Sequence, residues 1–553
     1  MADTELVVTD RYSIHRNLAT VYGTFIVSLG IAFPLTAAFV RGSGFNDALY
    51  VEVFNGYLYL ASVAALLYVF LYLLRGSKDN IQKSSDHQKP ADIPLEPTNG
   101  SENGHQCAPL DGAVTSLSAK VFYDKPRVHY GGEGITLYLR IAAVVFALGA
   151  LLYDGFSIAE YVQEKVYGCV SNVPIVSSAV HCLFLAVQTV FIVRYHKIVV
   201  TAKTRLANKV FMHLMVTNIC VFFAYSAMDT AEDFGESSKD SEENSTETSE
   251  TIEAKCRSIK IIFDQASPYL YPFVLEYSVI GATLMYIIFT SIGAPAENSS
   301  EDHEGRRTLK TSFKHSWQRP SSIGALLGVS IAMVTFAVLV YFLISLDNGE
   351  NSESENSELA YTLYLCLEIF LLLVNSITVL VALRYMRNAV YLGMETDTVD
   401  DNLLFMATFG AYLQYTFIAM PNIWYISQGH PDHLNAILAL LLVVLGLIQA
   451  TLQTAFLADN DRRDPEVIPS GRSVVHAKGR GLLVFLIICN LSLWLCSTFG
   501  LKKAEEHKLF HSFYGELPWK IVHNLTAPII IFFRIHSAAV MSVCWTKAHE
   551  KQD

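Results

Sequence analysis

Charged residues are scarce in this sequence, and several patterns that mark enzymes and nucleic-acid-binding proteins are missing. Asp, Glu, Lys and Arg make up 17% of the 553 residues. The sequence has no Cys and His spacing typical of a metal site, no glycine-rich phosphate loop, and no recognisable set of nucleophile, base and oxyanion donors. The net charge of −12 comes from acidic loops, and the basic residues form no single stripe. We therefore expect no enzyme, no cofactor, no metal site and no nucleic-acid partner.

Long apolar runs dominate instead. Hydrophobic residues make up 52% of the chain and the mean hydropathy is +0.33. A run of roughly 20 apolar residues crosses a bilayer, and no secretory cleavage signal precedes the first run. The predicted fold class is an all-α polytopic membrane protein with twelve transmembrane helices. They cover residues 17–40, 52–75, 137–156, 175–195, 206–229, 266–291, 320–346, 359–384, 402–422, 433–457, 481–500 and 520–545.

Loop charge predicts the orientation of the chain. The loops 194–209, 306–319 and 462–480 each hold five Lys or Arg residues, whereas the loops 346–358 and 421–433 hold none. Short cytoplasmic loops carry the excess of basic residues in membrane proteins. Because the number of spans is even, we expect both termini in the cytoplasm.

An internal repeat relates the fourth to sixth spans to the tenth to twelfth. Each set carries a Gln-Thr pair in its first span and an Asn in its second, and alignment of Ser278 with Ser537 places a Tyr opposite a His. The six polar residues are Gln188, Asn218 and Tyr277 in the first half, and Gln453, Asn490 and His536 in the second. Taken singly, each is equally typical of a contact between helices or of a packed core residue.

The repeat predicts two pseudo-symmetric six-helix halves of the same orientation, related by an axis along the membrane normal. The N-terminal domain is 1–291, with a disordered cytoplasmic loop near 76–130 and an acidic extracellular loop near 230–264. A cytoplasmic linker, 292–319, joins it to the C-terminal domain, 320–553.

Three ionisable residues lie deep within apolar spans, where they are costly if they face lipid. They are Glu276, Glu368 and Arg534. We expect Glu276 and Arg534 to meet near the contact between the halves, with Glu368 at the same interface. A purely structural ion pair is the alternative. Asp154, at the outer end of the third span, is expected to be solvated.

The predicted extracellular loops suggest two modifications and a set of pH-sensitive groups. Cys169 and Cys256 are the two cysteines in these loops, so we expect a disulfide between them. Asn244-Ser245-Thr246 is an acceptor triplet for glycosylation. Five histidines near the outer helix ends can titrate near neutral pH: His430, His433, His507, His511 and His523.

Five segments together resemble the otopetrin family of proton channels. They are Leu270-Tyr271-Pro272 with Glu276-Tyr277-Ser278, the two Gln-Thr pairs, Asn490-Leu491-Ser492-Leu493-Trp494, and Phe533-Arg534-Ile535-His536-Ser537.

The resemblance implies a homodimer in the plasma membrane that passes protons inward when the outside is acidic. The five histidines near the outer helix ends are then candidates for sensing the acid, with ordinary surface histidines as the alternative. It implies two barrel-like six-helix domains in each subunit, and it assigns the six polar residues of the repeat to two proton pathways. The chain departs from many family members at Asn218, where they have Asp.

The main alternative is a twelve-helix secondary transporter, with or without proton coupling. Such a protein has helices interrupted near the membrane midplane. Here Pro272 and Pro528 lie near the outer starts of their spans instead. The sequence leaves open whether protons pass through the first half, the second half or the contact between them.

Overall fold

The computed structural model shows a protein built almost entirely of long helices. It describes residues 2–40, 49–74, 127–130, 137–166, 172–239, 250–293, 319–347, 355–387, 390–391, 399–429, 433–461, 463–464, 473–501 and 508–547.

Twelve of these helices are long and apolar enough to cross a membrane, which confirms the predicted fold class. The backbone of an α-helix satisfies its own hydrogen bonds, which is why apolar runs of this length form helices in lipid. The helices of the first half are α1 (Ala2–Val40), α2 (Leu49–Tyr68), α3 (Leu137–Val166), α4 (Val173–Tyr195), α5 (Thr204–Lys239) and α6 (Glu250–Ser291). Those of the second are α7 (Arg319–Asp347), α8 (Glu355–Met386), α9 (Val399–Ser427), α10 (Leu434–Asp461), α11 (Ser473–Leu495) and α12 (Glu516–Lys547).

Helices α2 and α11 each continue into a π-helical segment near one end of the span. These segments are Val69–Leu74 and Cys496–Gly500, and a short separate helix, Lys508–Tyr514, precedes α12. The middles of the twelve described spans are continuous helix.

The two halves use the same helix pairing. In the first half α1 packs on α5, α5 on α6, α3 on α6, α2 on α4, and α3 on α4. In the second half α7 packs on α11, α11 on α12, α9 on α12, α8 on α10, and α9 on α10. Each pair of the second half is the pair of the first half moved on by six helices.

Two short antiparallel ladders occupy matching places in the halves. Strand β1 (Val128–Tyr130) precedes α3 and pairs with β2 (Ile198–Val200), which follows α4. Strand β3 (Val390–Tyr391) precedes α9 and pairs with β4 (Arg463–Asp464), which follows α10. Each ladder therefore ties together the same two helix ends in its half.

Helix α12 supplies most of the contact between the halves. It packs on α11 and α9 within the second half and also on α5, α3 and α6 of the first. The Phe146 ring of α3 lies 6.1 Å from that of Trp494, and Tyr138 Oη hydrogen-bonds with Thr546 Oγ1 at 3.1 Å. The last span is thus shared by both halves.

Two of the loops are shorter in the structure than the sequence predicts. Residues 128–130 of the expected disordered loop form β1, because β2 offers a partner strand. Helix α5 continues to Lys239 and α6 begins at Glu250, so the acidic tract 230–264 is largely helical. Extending an existing helix is far easier than nucleating one. Cys169, Asn244, the side chain of Cys256 and most of the linker 292–319 lie outside the described residues.

Candidate functional site

The first half holds a buried pair of amides at its centre. Gln188 Nε2 of α4 donates to Asn218 Oδ1 of α5 at 2.9 Å, and Asn218 Nδ2 donates back to Gln188 Oε1 at 3.0 Å. Both side chains are fully enclosed. Gly281 of α6 faces this pair, and a Cβ there would lie 2.4 Å from Asn218 Oδ1. A larger residue at 281 would therefore push the amides apart.

Tyr277 lies beside this pair on α6. Its hydroxyl and Thr189 Oγ1 are 2.9 Å apart, and it also donates to the Leu185 carbonyl at 3.3 Å. Thr189 follows Gln188 directly, so the Gln-Thr dipeptide contacts both other members of the predicted first-half set. The structure brings these three residues together as the repeat predicts.

A second polar cluster lies nearer the other end of the same helices. Asp154 Oδ2 is 2.8 Å from His181 Nδ1, and Tyr225 Oη donates to Asp154 Oδ1 at 3.1 Å. The ring of Tyr59 covers the imidazole at a centroid distance of 4.5 Å. Asp154 is 1% exposed, so the expectation that it is solvated is wrong. Helix α3 runs to Val166 rather than ending near 156, which places Asp154 well inside it.

A third polar cluster lies towards the ladder end of α5. His213 Nδ1 is 2.8 Å from Tyr22 Oη of α1. Ser62 Oγ of α2 donates to Thr217 Oγ1 at 2.9 Å, and Thr217 donates to the His213 carbonyl. On α5 the three clusters are represented by Tyr225, Asn218 and His213. At 1.5 Å per residue these positions are about 10 and 7 Å apart along the helix.

The second half holds a continuous chain of hydrogen bonds that runs through Arg534. Its guanidinium donates to Tyr415 Oη at 2.9 Å and to Gln449 Oε1. Gln449 Nε2 donates to Gln453 Oε1 at 2.6 Å, and Gln453 Nε2 donates to Asn490 Oδ1 at 2.9 Å. Gln449 was missed by sequence reasoning, although it lies one turn from Gln453 on the same face of α10.

A small cavity of about 40 Å³ lies between α8, α9, α10 and α12 of the same half. Glu368 and Gln414 line it, together with Trp519 and His523. Glu368 accepts a hydrogen bond from Tyr364 at 2.9 Å, and Gln414 accepts one from Thr526. A water needs about 10–15 Å³ measured in this way, so the cavity has room for a few waters.

His536 is buried on α12, and its ring stacks on Phe532 with centroids 5.2 Å apart. This placement is compatible with packing as well as with a polar path. Its predicted membership of the second polar set stays a prediction.

The predicted contact between Glu276 and Arg534 is not formed. The described partners of Arg534 are Tyr415 and Gln449, both in the second half. Neither carboxyl oxygen of Glu276 has a hydrogen-bond partner among the residues that the structure describes. Glu368 also lies within the second half, because α8 packs on α7, α10 and α11. The interface predicted for these three residues is therefore wrong for Arg534 and Glu368.

One histidine outside the spans has a strongly altered pKa. Burial, assisted by the positive charges of Arg140 and Lys197, lowers the pKa of His196 to about 4. His196 follows α4 directly, at the base of the β1–β2 ladder. Among the described residues no group of three or more His, Cys, Asp or Glu side chains is placed to hold a metal ion.

Comparison with known proteins gives a consistent result over most of the chain. A family model described as Otopetrin matches residues 138–254 and 230–535. The chain is 25% identical to the proton channel OtopLc of Drosophila melanogaster over 96% of its own length, and it spans 35% of that protein. It is 23% identical to the mouse proton channel OTOP2, over 73% of this chain and 81% of the relative. It is 24% identical to the human proton channel OTOP3, over 77% and 74%.

The family model covers well over half of the chain, and the named relatives agree with it. Twelve helices long and apolar enough to span a membrane accompany the match. This chain is therefore a multi-pass membrane protein, and it belongs to the otopetrin family.

Proposed function

We propose that this protein is a proton-selective channel of the plasma membrane that opens when the outside is acidic, and that it has no catalytic activity. The observation that carries this proposal is the succession of three buried polar clusters along α5 in the first half. The relatives that are named proton channels support it. This chain spans 35% of the fly protein, 81% of the mouse protein and 74% of the human protein.

The first half is the proposed route. Protons move along groups that both donate and accept hydrogen bonds, together with water. The carboxyl, imidazole and hydroxyl of Asp154, His181 and Tyr225 satisfy this requirement at one end, and Tyr22 with His213 satisfies it at the other. The amide pair Gln188–Asn218 lies between them and acts as the narrow, polar constriction, with Tyr277 and Thr189 beside it.

The proposed orientation puts the Asp154 cluster outside. With both termini in the cytoplasm, α3 and α5 run outward, and Asp154 and Tyr225 lie in the outer parts of these helices. External acid then reaches Asp154 and His181 first. This pair is therefore the proposed point at which external protons enter the route.

Arg534 makes the second half a poor route. Arginine stays protonated and has no acceptor lone pair, so it cannot pass a proton on by accepting one. The hydrogen-bond chain from Tyr415 to Asn490 runs through this side chain. We propose that Arg534, Gln449, Gln453 and Asn490 stabilise the second half, while His536 and Glu276, on the two helices in contact between the halves, remain candidate proton-binding groups.

The chain is further proposed to consist of two domains, 1–291 and 320–553, joined by 292–319, and to form a homodimer. The matched helix pairing and the matched ladders support the division. A disulfide between Cys169 and Cys256 and a glycan on Asn244 belong to the same proposal, because the proposed orientation puts these residues outside.

Proton flux by the purified full-length chain in liposomes tests the function. An imposed pH gradient with a potassium diffusion potential should produce a current whose reversal potential follows the proton equilibrium. Replacing sodium or chloride should leave that potential unchanged. Flux that saturates and requires a second solute would instead establish a transporter, and absence of flux at any external pH would refute the channel.

A further inference from the structure

A groove opens on the outer surface of the first half, between α1 and α2, with α5 as its floor. Its volume is about 680 Å³. Leu18, Val21 and Phe25 of α1 form one wall, and each of these side chains is more than half exposed. Because the groove faces the surrounding membrane, its natural occupant comes from the lipid phase.

The groove exists because α1 and α2 meet at one end only. The ring of Phe33 contacts Tyr50 and Phe54 of α2, at centroid distances of 5.6 and 5.2 Å, near the end of α1 away from the N-terminus. Towards the other end α2 presents Ala61 and Ala65, one turn apart, which leave space beside α1. The matching helices α7 and α8 pack more closely than α1 and α2 do. The groove is therefore a feature of the first half.

The chemistry of the groove changes along its length. Lys209 lines the end nearest the N-terminal side of α1, and its side chain is exposed. One turn deeper, His213 lines the groove but is only 7% exposed, and its Nδ1 contacts Tyr22. The rest of the lining is mainly aliphatic or aromatic. An occupant of matching chemistry has a negative head at Lys209 and an apolar chain beyond.

We propose that this groove binds an anionic phospholipid from the leaflet on the N-terminal side, with its phosphate at Lys209 and one acyl chain between α1 and α2. The orientation proposed above makes this the cytoplasmic leaflet, which is where anionic lipids are concentrated. Only the assignment to the cytoplasmic leaflet depends on the function proposed above. A bound chain covers the Tyr22–His213 pair and so separates the innermost polar cluster from the side of the protein.

The test uses the full-length chain in liposomes that contain either phosphatidylserine or phosphatidylcholine with a photoreactive group on one acyl chain. After illumination, labelled peptides are mapped, and proton flux is measured in the same liposomes. Labelling should concentrate on residues 18–25, 57–65 and 209–213 and should be stronger with phosphatidylserine. Ala61→Trp fills the groove and should abolish it there. Ala337→Trp places the same bulk on the exposed face of α7 and should not.

A charge variant separates the contribution of the lipid headgroup from that of the acyl chain. Lys209→Gln should reduce the preference for phosphatidylserine about fivefold, the effect of one basic side chain near a membrane surface. Lys197→Gln removes an exposed lysine from the same side, outside the groove, and should leave the preference unchanged. Even labelling over all lipid-facing helices, equal labelling by both lipids, or crosslinks to a second copy of the chain at the groove would each overturn the proposal. Proton flux without labelling of the groove would refute the lipid site but not the channel function. Labelling of the groove without proton flux would refute the channel function but not the lipid site.

Discussion

The two halves share a helix pairing but have different polar interiors. The first half contains three separate clusters, whose members include a carboxyl, two imidazoles, hydroxyls and a pair of amides. The second contains a continuous chain of five hydrogen-bonded side chains, in which the guanidinium of Arg534 joins Tyr415 to Gln449. The same fold thus holds a set of groups that can relay protons and a set that is fixed around a permanent charge.

The difference between the two polar interiors shows that a continuous chain of hydrogen bonds is not by itself a path for protons. Every bond that Arg534 makes has the guanidinium as donor, so the chain has a fixed direction there. The first half has breaks between its clusters, but the two end clusters each contain a histidine, and the central amides both donate and accept hydrogen bonds. This contrast is the reason for proposing the route in the first half.

The largest effect is expected from matched substitutions at the central asparagines. Asn218→Leu removes the partner of Gln188 and should lower proton flux per molecule by roughly 5- to 150-fold, since an unpaired buried polar group costs about 1–3 kcal/mol. Asn490→Leu removes the acceptor of Gln453 Nε2, while Gln453 Oε1 keeps its bond from Gln449, and should leave flux per molecule unchanged. Flux in liposomes is normalised to the amount of folded protein. If Asn490→Leu were the variant that lost flux, the route would lie in the second half.

The next effect concerns stability. Arg534→Met leaves Gln449 and Tyr415 without their donor in the interior, and should lower the free energy of unfolding by roughly 3 kcal/mol. Flux per folded molecule should persist. Thermal unfolding in detergent and flux of the same preparation provide the two measurements. Loss of flux without loss of thermal stability would show that Arg534 acts in conduction or gating.

A smaller change is expected at the outer cluster. Asp154→Asn keeps the shape of the side chain but removes the negative charge that attracts protons to the outer end of the proposed route. Proton flux at a given external pH should then fall by up to roughly tenfold, the lower end of the effect that local charge has on the entry of an oppositely charged ion. Glu368→Gln neutralises a buried carboxyl group of the second half and should leave flux unchanged. Equal losses in both variants would argue against proton entry at Asp154.

Much of this architecture follows from the sequence, because length and apolarity fix a membrane span. The neighbouring positions of Gln188, Asn218 and Tyr277 follow too, since their order and depth recur in the second half. The rotation of each helix does not follow. A helix that is apolar all round gives no sign of which face points inward. In the alignment of Ser278 with Ser537, Glu276 stands opposite Ile535 and not opposite Arg534. A displacement of one residue turns a side chain by about 100° round the helix, enough to separate the expected pair.

The cluster of Asp154 with His181 was missed for a different reason. The end of the apolar run predicts that α3 ends near 156, whereas the helix continues ten residues further to Val166. A carboxylate that looks interfacial in the sequence is then buried, and its partner comes from the neighbouring helix α4. Only the packing of α3 on α4 reveals the pair.

The smallest expected effect is the pH dependence of stability that His196 causes beside the β1–β2 ladder. The pKa of His196 is lowered from 6.5 to about 4, so the unfolded chain binds more protons than the folded protein between these values. Stability contributed by neutral His196 is therefore complete above pH 6.5 and is lost as the pH falls towards 4. The loss should be less than about 1.4 kcal/mol per pH unit, the limit for one proton.

His196→Gln should flatten this dependence, measured as the difference in unfolding temperature between pH 7 and pH 5. His129→Gln serves as control, because it removes a half-buried histidine from the same ladder and leaves His196 in place. The second-half ladder pairs Val390 with Asp464 and Tyr391 with Arg463, and its strands contain no histidine. Acid in the range from 6.5 to 4 should thus weaken the β1–β2 ladder and spare the β3–β4 ladder. Unchanged pH dependence in His196→Gln would mean that His196 gains a proton as readily in the folded protein as in the unfolded chain.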